Sequence, residues 1–156
     1  MLEIDIPGGK ILRLSHLILD YNGTIAMDGS LLAGVAVRLE MLAHKMDIHI
    51  ITADTFGSVR SQVAGLPVQL AVIGLKNQDQ AKADYLDALG ASNSVTLGNG
   101  RNDSLMLKQA ALGIAVVQSE GAATAALLAA DVVTPGIIEA LDLLLYPDRL
   151  RATLRL

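Results

Sequence analysis

The segment Leu17-Ile18-Leu19-Asp20-Tyr21-Asn22-Gly23-Thr24 decides the fold, because an apolar strand runs directly into an aspartate and a tight Gly-Thr turn. Open α/β sheets bind their ligands in the crevice outside the carboxyl ends of the strands. A second segment, Val95-Thr96-Leu97-Gly98-Asn99-Gly100-Arg101-Asn102-Asp103, has the same order of apolar strand, glycine turn and acidic group. We therefore expect Asp20 and Asp103 to lie at strand ends around one cation.

Outward from these two segments, short apolar strands alternate with helical patterns. The buried strands are expected at 17–20, 48–51, 68–73, 94–97, 113–117 and 131–133. The helices are expected at 31–44, 55–63, 78–89, 103–111 and 121–128, with a closing segment at 135–145. This alternation predicts a three-layer, Rossmann-like α/β fold with a central parallel sheet and right-handed crossovers.

The 156 residues are expected to form a single domain. Residues 1–14 alternate apolar and polar side chains around Gly8-Gly9, which predicts an N-terminal β-hairpin at the sheet edge. Residues 15–145 form the core, and residues 146–156 form a C-terminal tail or helix. The intervals between Thr24, Thr52 and Lys82 leave no room for an inserted cap domain.

Composition excludes several classes of protein. The net charge of −4 gives no electrostatic footprint for nucleic acid, and the absence of cysteine excludes disulfides and thiolate chemistry. There is no apolar run long enough for a membrane span and no signal peptide, so we expect a cytoplasmic protein. An apolar fraction of 52% on a small chain favours a homo-oligomer.

Four polar residues lie at or just beyond predicted strand ends or in nearby loops: Asp20, Thr52, Lys82 and Asp103. An aspartate can attack phosphorus, a threonine can donate to a phosphoryl oxygen, and a lysine can neutralise both. A second carboxylate helps to hold Mg²⁺, which prefers oxygen ligands. These residue types supply the positioning and charge neutralisation that phosphoryl transfer requires.

The order DxxGT, apolar-Thr, Lys and GNGxND resembles the haloacid dehalogenase (HAD) superfamily of phosphohydrolases. The segments Thr52-Ala53-Asp54 and Gly98 to Asp103 most resemble the phosphorylation domain of P-type ATPases and its small soluble relatives. Leu112 to Val116 is similar to the segment that follows the last motif in those ATPases. The resemblance extends from about Leu17 to Val133.

The resemblance implies a role for each matching position. Asp20 would be the nucleophile, Thr52 and Ala53 would contact the phosphoryl group together with the amides of Tyr21 and Asn22, and Lys82 would neutralise charge. The carbonyl of Asn22, with Asp20, Asn99 and Asp103, would hold Mg²⁺. The partner would be a phosphorylated small molecule or macromolecule. Lys76 remains an alternative for the lysine.

Two positions depart from the pattern of most members of the superfamily. Asn22 stands where the general acid and base, an aspartate, is found, so alkoxide leaving groups are expected to depart slowly. General acid–base catalysis of this kind typically raises the reaction rate by about 10²–10⁴-fold. Asn99 stands where most members have a metal-binding aspartate. We therefore expect activated phosphates, including nucleotides, to be preferred.

Alternatives remain at several positions. The chain could be a non-catalytic module that binds phosphate or a nucleotide, or a receiver-like phosphoacceptor. Receivers carry an acidic pair on an earlier strand, whereas Glu3 and Asp5 lie on the expected hairpin. Asp54 is a candidate helix cap or a catalytic group. The three histidines, His16, His44 and His49, lack the spacing of metal ligands and are interpreted as structural or surface residues.

Overall fold

The structure is a computed structural model that describes residues 1–53 and 58–156. Its ten strands and seven α-helices in this part of the chain are, in order, β1 (Leu2–Asp5), β2 (Ile11–Leu14), β3 (His16–Asp20), β4 (Ala26–Met27), β5 (Ser30–Leu31), α1 (Val35–Ala43), β6 (Asp47–Thr52), α2 (Ser58–Gln62), β7 (Gln69–Val72), α3 (Gln78–Leu89), β8 (Ser94–Gly98), α4 (Ser104–Gln109), β9 (Leu112–Val116), α5 (Thr124–Ala129), β10 (Val132–Thr134), α6 (Ile137–Leu145) and α7 (Pro147–Leu154). Short 3₁₀ helices span Ala91–Asn93 and Arg101–Asp103.

The central sheet has six parallel strands in the order β10-β9-β8-β3-β6-β7, as the alternating pattern predicts. Helices α1 and α6 pack together over one face, and α3 and α4 pack over the other. The strands β3, β8 and β9 are buried along nearly their whole length, as parallel strands covered on both faces should be. The three-layer α/β prediction is confirmed.

The N-terminal hairpin forms, but it is not an edge of the central sheet. β1 and β2 pair only with each other in a separate antiparallel sheet. Their inward side chains, Leu2, Ile4, Leu12 and Leu14, join the main core, so the hairpin uses its single apolar face to close that core. Helix α7 packs on β1, and the Arg151 Nε donates a hydrogen bond to the carbonyl of Asp5 at 3.2 Å.

The helix expected at 31–44 begins later, at Val35. Leu31 instead belongs to a small hairpin of β4 and β5 that the sequence analysis missed. Asp28 and Gly29 adopt φ angles of 50° and 79°, the left-handed conformation that two-residue hairpin turns require. Val35, Leu39 and Leu42 do lie on the buried face of α1, as the helical spacing predicts.

Other element bounds differ by a few residues. The helix expected at 121–128 begins at Thr124, because residues 118–121 form a tight turn closed by a hydrogen bond from the Gly121 amide to the Gln118 carbonyl. The helix expected at 103–111 is α4, preceded by a 3₁₀ turn. Residues 55–57 of the helix expected at 55–63 lie outside the described residues, and the described remainder gives α2.

One close approach fixes the distance between α4 and the sheet. A Cβ placed on Gly113 of β9 would overlap the backbone carbonyl oxygen of Leu107 in α4. Only glycine allows the helix backbone to lie this near the strand.

No inserted domain covers the carboxyl end of the sheet in the described chain. Between Thr24 and Thr52 the structure contains only β4, β5, α1 and β6. This part of the structure agrees with the expectation that a cap is absent. None of the helices in residues 1–53 and 58–156 is both long and apolar enough to cross a membrane.

Candidate active site

The sheet contains a topological switch point beside β3. From β3 the chain proceeds to β6 and β7 on one side, then returns to β8, β9 and β10 on the other. In doubly wound sheets, such a reversal opens a crevice at the carboxyl ends of the strands. A cleft of about 410 Å³ lies there, lined by Asp20, Asn22, Thr52, Ala53, Gln78, Lys82, Asn99, Gly100 and Asn102.

A buried ion-pair network, here called the charged cluster, consists of Asp20, Lys82 and Asp103. Lys82 lies on the buried face of α3, and its Nζ donates at 2.6 Å both to Oδ1 of Asp20 and to Oδ1 of Asp103. The lysine is 1% exposed and Asp103 is fully buried. One ammonium group therefore connects Asp20, the last residue of β3, with Asp103, which follows β8.

Burial and nearby charges shift the pKa values of Asp20 and Lys82. Desolvation, reinforced by the negative charge of Asp103, raises the pKa of Asp20 from 3.8 to about 7, although Lys82 acts in the opposite direction. For Lys82, burial alone would lower the pKa, but the two carboxylates outweigh it and the pKa is raised. The lysine therefore stays charged, while Asp20 titrates near neutrality.

Asp103 holds the cluster from behind the cleft. Its Oδ2 accepts hydrogen bonds from the backbone amides of Asn99 and Gly100 at 3.0 and 2.8 Å. With Oδ1 bonded to Lys82, both carboxylate oxygens have protein partners. Asp103 was expected to hold Mg²⁺, but it does not line the cleft, so its position suits it to fixing the lysine and the β8 turn, and any contact with the cation would pass through water.

The turn after Asp20 is held by Thr24. The Thr24 hydroxyl donates to Oδ2 of Asp20 at 3.0 Å and lies 3.3 Å from Oδ1 of Asn99. The second carboxylate oxygen of Asp20 and the amide oxygen of Asn99 are therefore both neighbours of one hydroxyl. Gly23, with φ of 78°, allows the tight turn that brings Thr24 back onto Asp20.

Of the other residues predicted to contact the phosphoryl group or the metal, some line the cleft and one, Tyr21, does not. Asn22, Thr52 and Ala53 line the cleft together with Asp20. The Tyr21 side chain does not reach it: the ring is buried in the core, and the hydroxyl donates to the Gly29 carbonyl at 2.9 Å. The contribution expected of Tyr21 is its backbone amide, which directly follows Asp20.

Several residues of the site, among them Gly100 in the lining of the cleft, were not predicted from the sequence. Gln78 and Asn102 line the cleft and bond to each other, with Asn102 Nδ2 donating to Gln78 Oε1 at 2.8 Å. Gln118, just after β9, donates through Nε2 to the carbonyls of Gly23 and Thr24 at 3.0 and 2.7 Å. A polar residue directly after an apolar strand is the signal by which Gln118 could have been found.

The donors at the cleft fit one hard divalent cation. Asp20 Oδ2 and Asn99 Oδ1 are neighbours around the Thr24 hydroxyl, and Asn22 lies in the same cleft. Carboxylate, amide and carbonyl oxygens with water are a suitable set for Mg²⁺. No group of three carboxylate or imidazole side chains in the described residues converges as metal ligands, so water would complete the coordination.

The other candidates lie elsewhere. Lys76 is exposed on the loop before α3, and Asp54 lies outside the described residues. His44 is exposed. Two histidines form what we call the histidine cluster, in which His49 Nδ1 lies 2.9 Å from the Tyr85 hydroxyl and His49 Nε2 lies 3.3 Å from His16 Nδ1.

Within the histidine cluster, the ring of His49 is buried. Burial, followed by the nearby His16, lowers the pKa of His49. Both ring nitrogens of His49 have polar neighbours on β3 and α3, so the neutral ring, with one N–H donor and one acceptor, has partners for both. The interpretation of these two histidines as structural residues agrees with this geometry.

Comparison with curated proteins gives two archaeal relatives. An uncharacterized protein from Methanocaldococcus jannaschii is 46% identical over 79 residues, which is 48% of this chain and 85% of that protein. A second uncharacterized protein from the same organism is 49% identical over 39 residues, 25% of this chain and 89% of that protein. The chain belongs to the same family as these proteins. No protein-family model matches it.

Comparison with solved structures identifies the fold. A protein from Legionella pneumophila assigned to subfamily III A of the HAD hydrolases has a TM-score of 0.71 and 21% identity, over 90% of this chain and 86% of that one. A 3-deoxy-D-manno-octulosonate 8-phosphate phosphatase from Moraxella catarrhalis, solved with magnesium, phosphate and the sugar acid, has a TM-score of 0.72 and 17% identity, over 90% and 92%.

The cobalt-bound form of the corresponding Haemophilus influenzae phosphatase has a TM-score of 0.70 and 16% identity, over 85% of this chain and 88% of that one. At these identities the similarity establishes the fold. This chain has the fold of the HAD hydrolases.

Proposed function

We propose that this protein is a Mg²⁺-dependent phosphohydrolase or phosphotransferase that works through an aspartyl-phosphate on Asp20. The observation that carries the proposal is the position of Asp20: it opens onto a cleft at the switch point and is paired with a buried lysine at 2.6 Å. The fold shared with HAD phosphatases supports the same conclusion.

The chemistry follows from the groups around Asp20. One carboxylate oxygen attacks phosphorus in line, the bond to the leaving group breaks, and its electron pair departs with that group. Water then attacks the acyl phosphate, which releases phosphate and restores the carboxylate. Lys82 neutralises charge on the aspartate and the phosphoryl oxygens throughout, at a position that Asp103 fixes.

Thr52 and the amides that follow Asp20 would bind the phosphoryl oxygens. A magnesium ion bound by Asp20, the carbonyl of Asn22 and Asn99 would supply further charge neutralisation there. The raised pKa of Asp20 means that the nucleophile is only partly ionised at neutral pH without such help. Any cation at the cleft, resident or brought with the substrate, favours the reactive carboxylate.

The substrate would be an activated phosphate. Asn22 lies in the cleft where a carboxylic acid would deliver a proton, and an amide side chain does not ionise. Acyl phosphates, phosphoanhydrides and aryl phosphates leave as stable anions, so they need no proton donor. The motifs that resemble P-type ATPases are consistent with this preference, and we propose an ATPase-like relative of the HAD phosphatases.

A trapping experiment tests the proposal. The protein is incubated with Mg²⁺ and either acetyl phosphate, p-nitrophenyl phosphate, ATP or a sugar monophosphate, then quenched in acid and analysed by intact mass for the added phosphoryl group. We expect labelling with the first three and little with the sugar ester. Asp20→Asn abolishes labelling, whereas Asp28→Asn, in an exposed turn that tolerates asparagine, labels as the wild type does.

A second candidate function is a phosphate- or nucleotide-binding regulatory module without turnover. The observation that favours it is the loss of two carboxylates, at Asn22 and Asn99, from a cleft that otherwise retains its architecture. In that case phosphate or nucleotide binds in calorimetry and the binding is weakened by Lys82→Met, which removes the positive charge at the cleft. No phosphoenzyme and no released phosphate then accumulate with any of the four compounds.

A further inference from the structure

One acidic side chain beside the cleft takes no part in the chemistry described above. Glu120 occupies the apex of the tight turn at 118–121, and its carboxylate lies against the turn that follows Asp20. A Cβ added to Gly23 would overlap Oε2 of Glu120 and would come within 2.6 Å of the amide nitrogen of Asn99. The carboxylate of Glu120 and the amide of Asn99 therefore lie on the same side of Gly23.

The turn that carries Glu120 is held in place at several points. Asn99 Nδ2 donates to the Gly121 carbonyl at 3.1 Å, and the Ala123 amide donates to the Asn99 carbonyl at 2.8 Å. At the other end, Gln118 bonds the carbonyls of Gly23 and Thr24. The turn thus connects the two segments that supply the proposed cation donors.

The charge of Glu120 is not used within the described protein. The side chain belongs to an exposed residue and forms no hydrogen bond or ion pair with any residue in 1–53 or 58–156. Asn99, directly beside it, contributes an oxygen donor but no negative charge. A carboxylate held at this place can compensate for that missing charge.

We infer that Glu120 acts as an outer carboxylate for the divalent cation at Asp20, Asn22 and Asn99, through a water molecule on that cation. The inference rests on the proposed function, because it assumes that the cation binds at Asp20. Glu120 is not assigned as a direct ligand, because it does not line the cleft and its Oε2 lies beside Gly23. Outer groups of this kind orient bound water and add to the affinity of metal sites.

Metal affinity in the absence of substrate tests the inference. Mg²⁺ binding is measured by isothermal titration calorimetry, and Mn²⁺ binding by electron paramagnetic resonance, for Glu120→Gln, Asn99→Asp and the double variant. We expect Glu120→Gln to weaken binding by about tenfold. Asn99→Asp is expected to tighten binding, and in that background Glu120→Gln has a much smaller effect, because the charge is already supplied.

A charge-matched control separates local from general electrostatics. Glu40→Gln removes the same charge from an exposed position on α1, where it has no described ion pair, and is expected to bind both metals as the wild type does. Equal metal affinity for Glu120→Gln and wild type would overturn the inference. So would an equal weakening by Glu40→Gln, or the same tenfold loss in the Asn99→Asp background.

Asp20→Asn distinguishes this inference from the proposed function. If Asp20→Asn loses metal binding and Glu120→Gln does not, the metal site stands and the role of Glu120 is overturned. If the wild type binds neither metal, or if Asp20→Asn binds as the wild type does, the cation site itself is wrong and both proposals fail. Thermal unfolding of each variant without metal checks that the fold is retained.

Discussion

Two polar clusters lie beneath the same helix, α3, and they differ in charge and in access. The charged cluster at the carboxyl end of the sheet pairs ionisable groups beside an open cleft. In the histidine cluster, further toward the amino end, His49 lies within hydrogen-bond distance of His16 and of the Tyr85 hydroxyl, and burial lowers the pKa of His49. Buried neutral groups need only hydrogen-bond partners, whereas buried charges carry a large desolvation penalty.

The comparison distinguishes polar groups that need only hydrogen-bond partners from charged groups that lie where a ligand could bind. An ion-pair network of this kind is weak evidence for stability, since apolar residues of similar volume often stabilise a protein as well or better. Its position next to a cleft gives it another use, because the cleft can admit an anion. We therefore expect changes in the charged cluster to affect both stability and phosphoryl transfer, and changes in the histidine cluster to affect stability alone.

The largest effect is expected from Lys82→Met. This change leaves the buried carboxylates of Asp20 and Asp103 facing each other without a cation, which should lower the free energy of unfolding by about 3–5 kcal/mol. It should also abolish phosphoenzyme formation. Urea denaturation at neutral pH measures the first effect. Lys76→Met, on the exposed loop, is the control; equal losses for the two variants would mean that Lys82 is not the residue that the carboxylates need.

Asn22→Asp should give the largest gain of activity. A carboxyl group at this cleft position can protonate an alkoxide leaving group, so hydrolysis of ordinary phosphomonoesters should rise by about 10²-fold. Steady-state release of phosphate from a sugar phosphate and from acetyl phosphate is compared. A similar rise for both substrates would show that departure of the leaving group is not what limits the wild type.

The pH dependence of stability should reveal the raised pKa of Asp20. Between its unfolded value of 3.8 and its folded value of about 7, the folded state binds more protons, so stability falls as pH rises through this window. Each pKa unit corresponds to about 1.4 kcal/mol. We measure the free energy of unfolding of wild type and Asp20→Asn from pH 4 to pH 8. As the pH rises, the wild type should lose stability relative to Asp20→Asn. Parallel curves would exclude the raised pKa.

The histidine cluster should respond with the opposite sign. The pKa of His49 is lowered, so the unfolded state binds more protons below about pH 6.5 and stability falls as pH decreases through that value. Relative to wild type, His49→Gln should lose this dependence while its phosphoenzyme level stays unchanged. Urea denaturation across this pH range checks the loss of pH dependence, and NMR titration of the wild-type protein checks the lowered pKa of His49. A loss of phosphoenzyme would show that the two clusters are functionally coupled.

Tyr85→Phe is expected to have the smallest effect. It removes a hydroxyl at hydrogen-bond distance from His49 Nδ1, which should lower the free energy of unfolding by about 1 kcal/mol. Urea denaturation at pH 8, above the lowered pKa of His49, isolates this contribution. A loss of several kcal/mol would indicate that the ring also fixes α3 in position.

The sequence predicts the order of strands and helices well, because that order depends on local patterns. The helix at Gln78–Leu89 has the expected bounds, since a helical pattern runs up to Gly90. The hairpin of β1 and β2 is predicted as a hairpin but not in its position, because alternation of apolar residues cannot tell which sheet the strands join. The β4–β5 hairpin is too short for a periodic pattern.

The sequence predicts which residues form the candidate site better than it predicts how they are arranged in space. Asp20, Thr52 and Lys82 follow from strand ends and from the resemblance, and the cleft contains all three. That one ammonium group bridges Asp20 and Asp103 depends on the placement of α3 against two strands, which no local pattern encodes. Gln118 was missed because its partners are backbone carbonyls distant in the chain.

The close contact between Gly113 of β9 and α4 also affects the geometry of the cleft. Helix α4 begins immediately after Asp103, so the depth at which the helix rests on β9 also sets how far that carboxylate reaches toward the lysine. A single methyl group at residue 113 would lift the helix and draw the anchor of Lys82 outward. The alignment of Asp103 with Lys82 beside the cleft therefore depends on the absence of a side chain at Gly113.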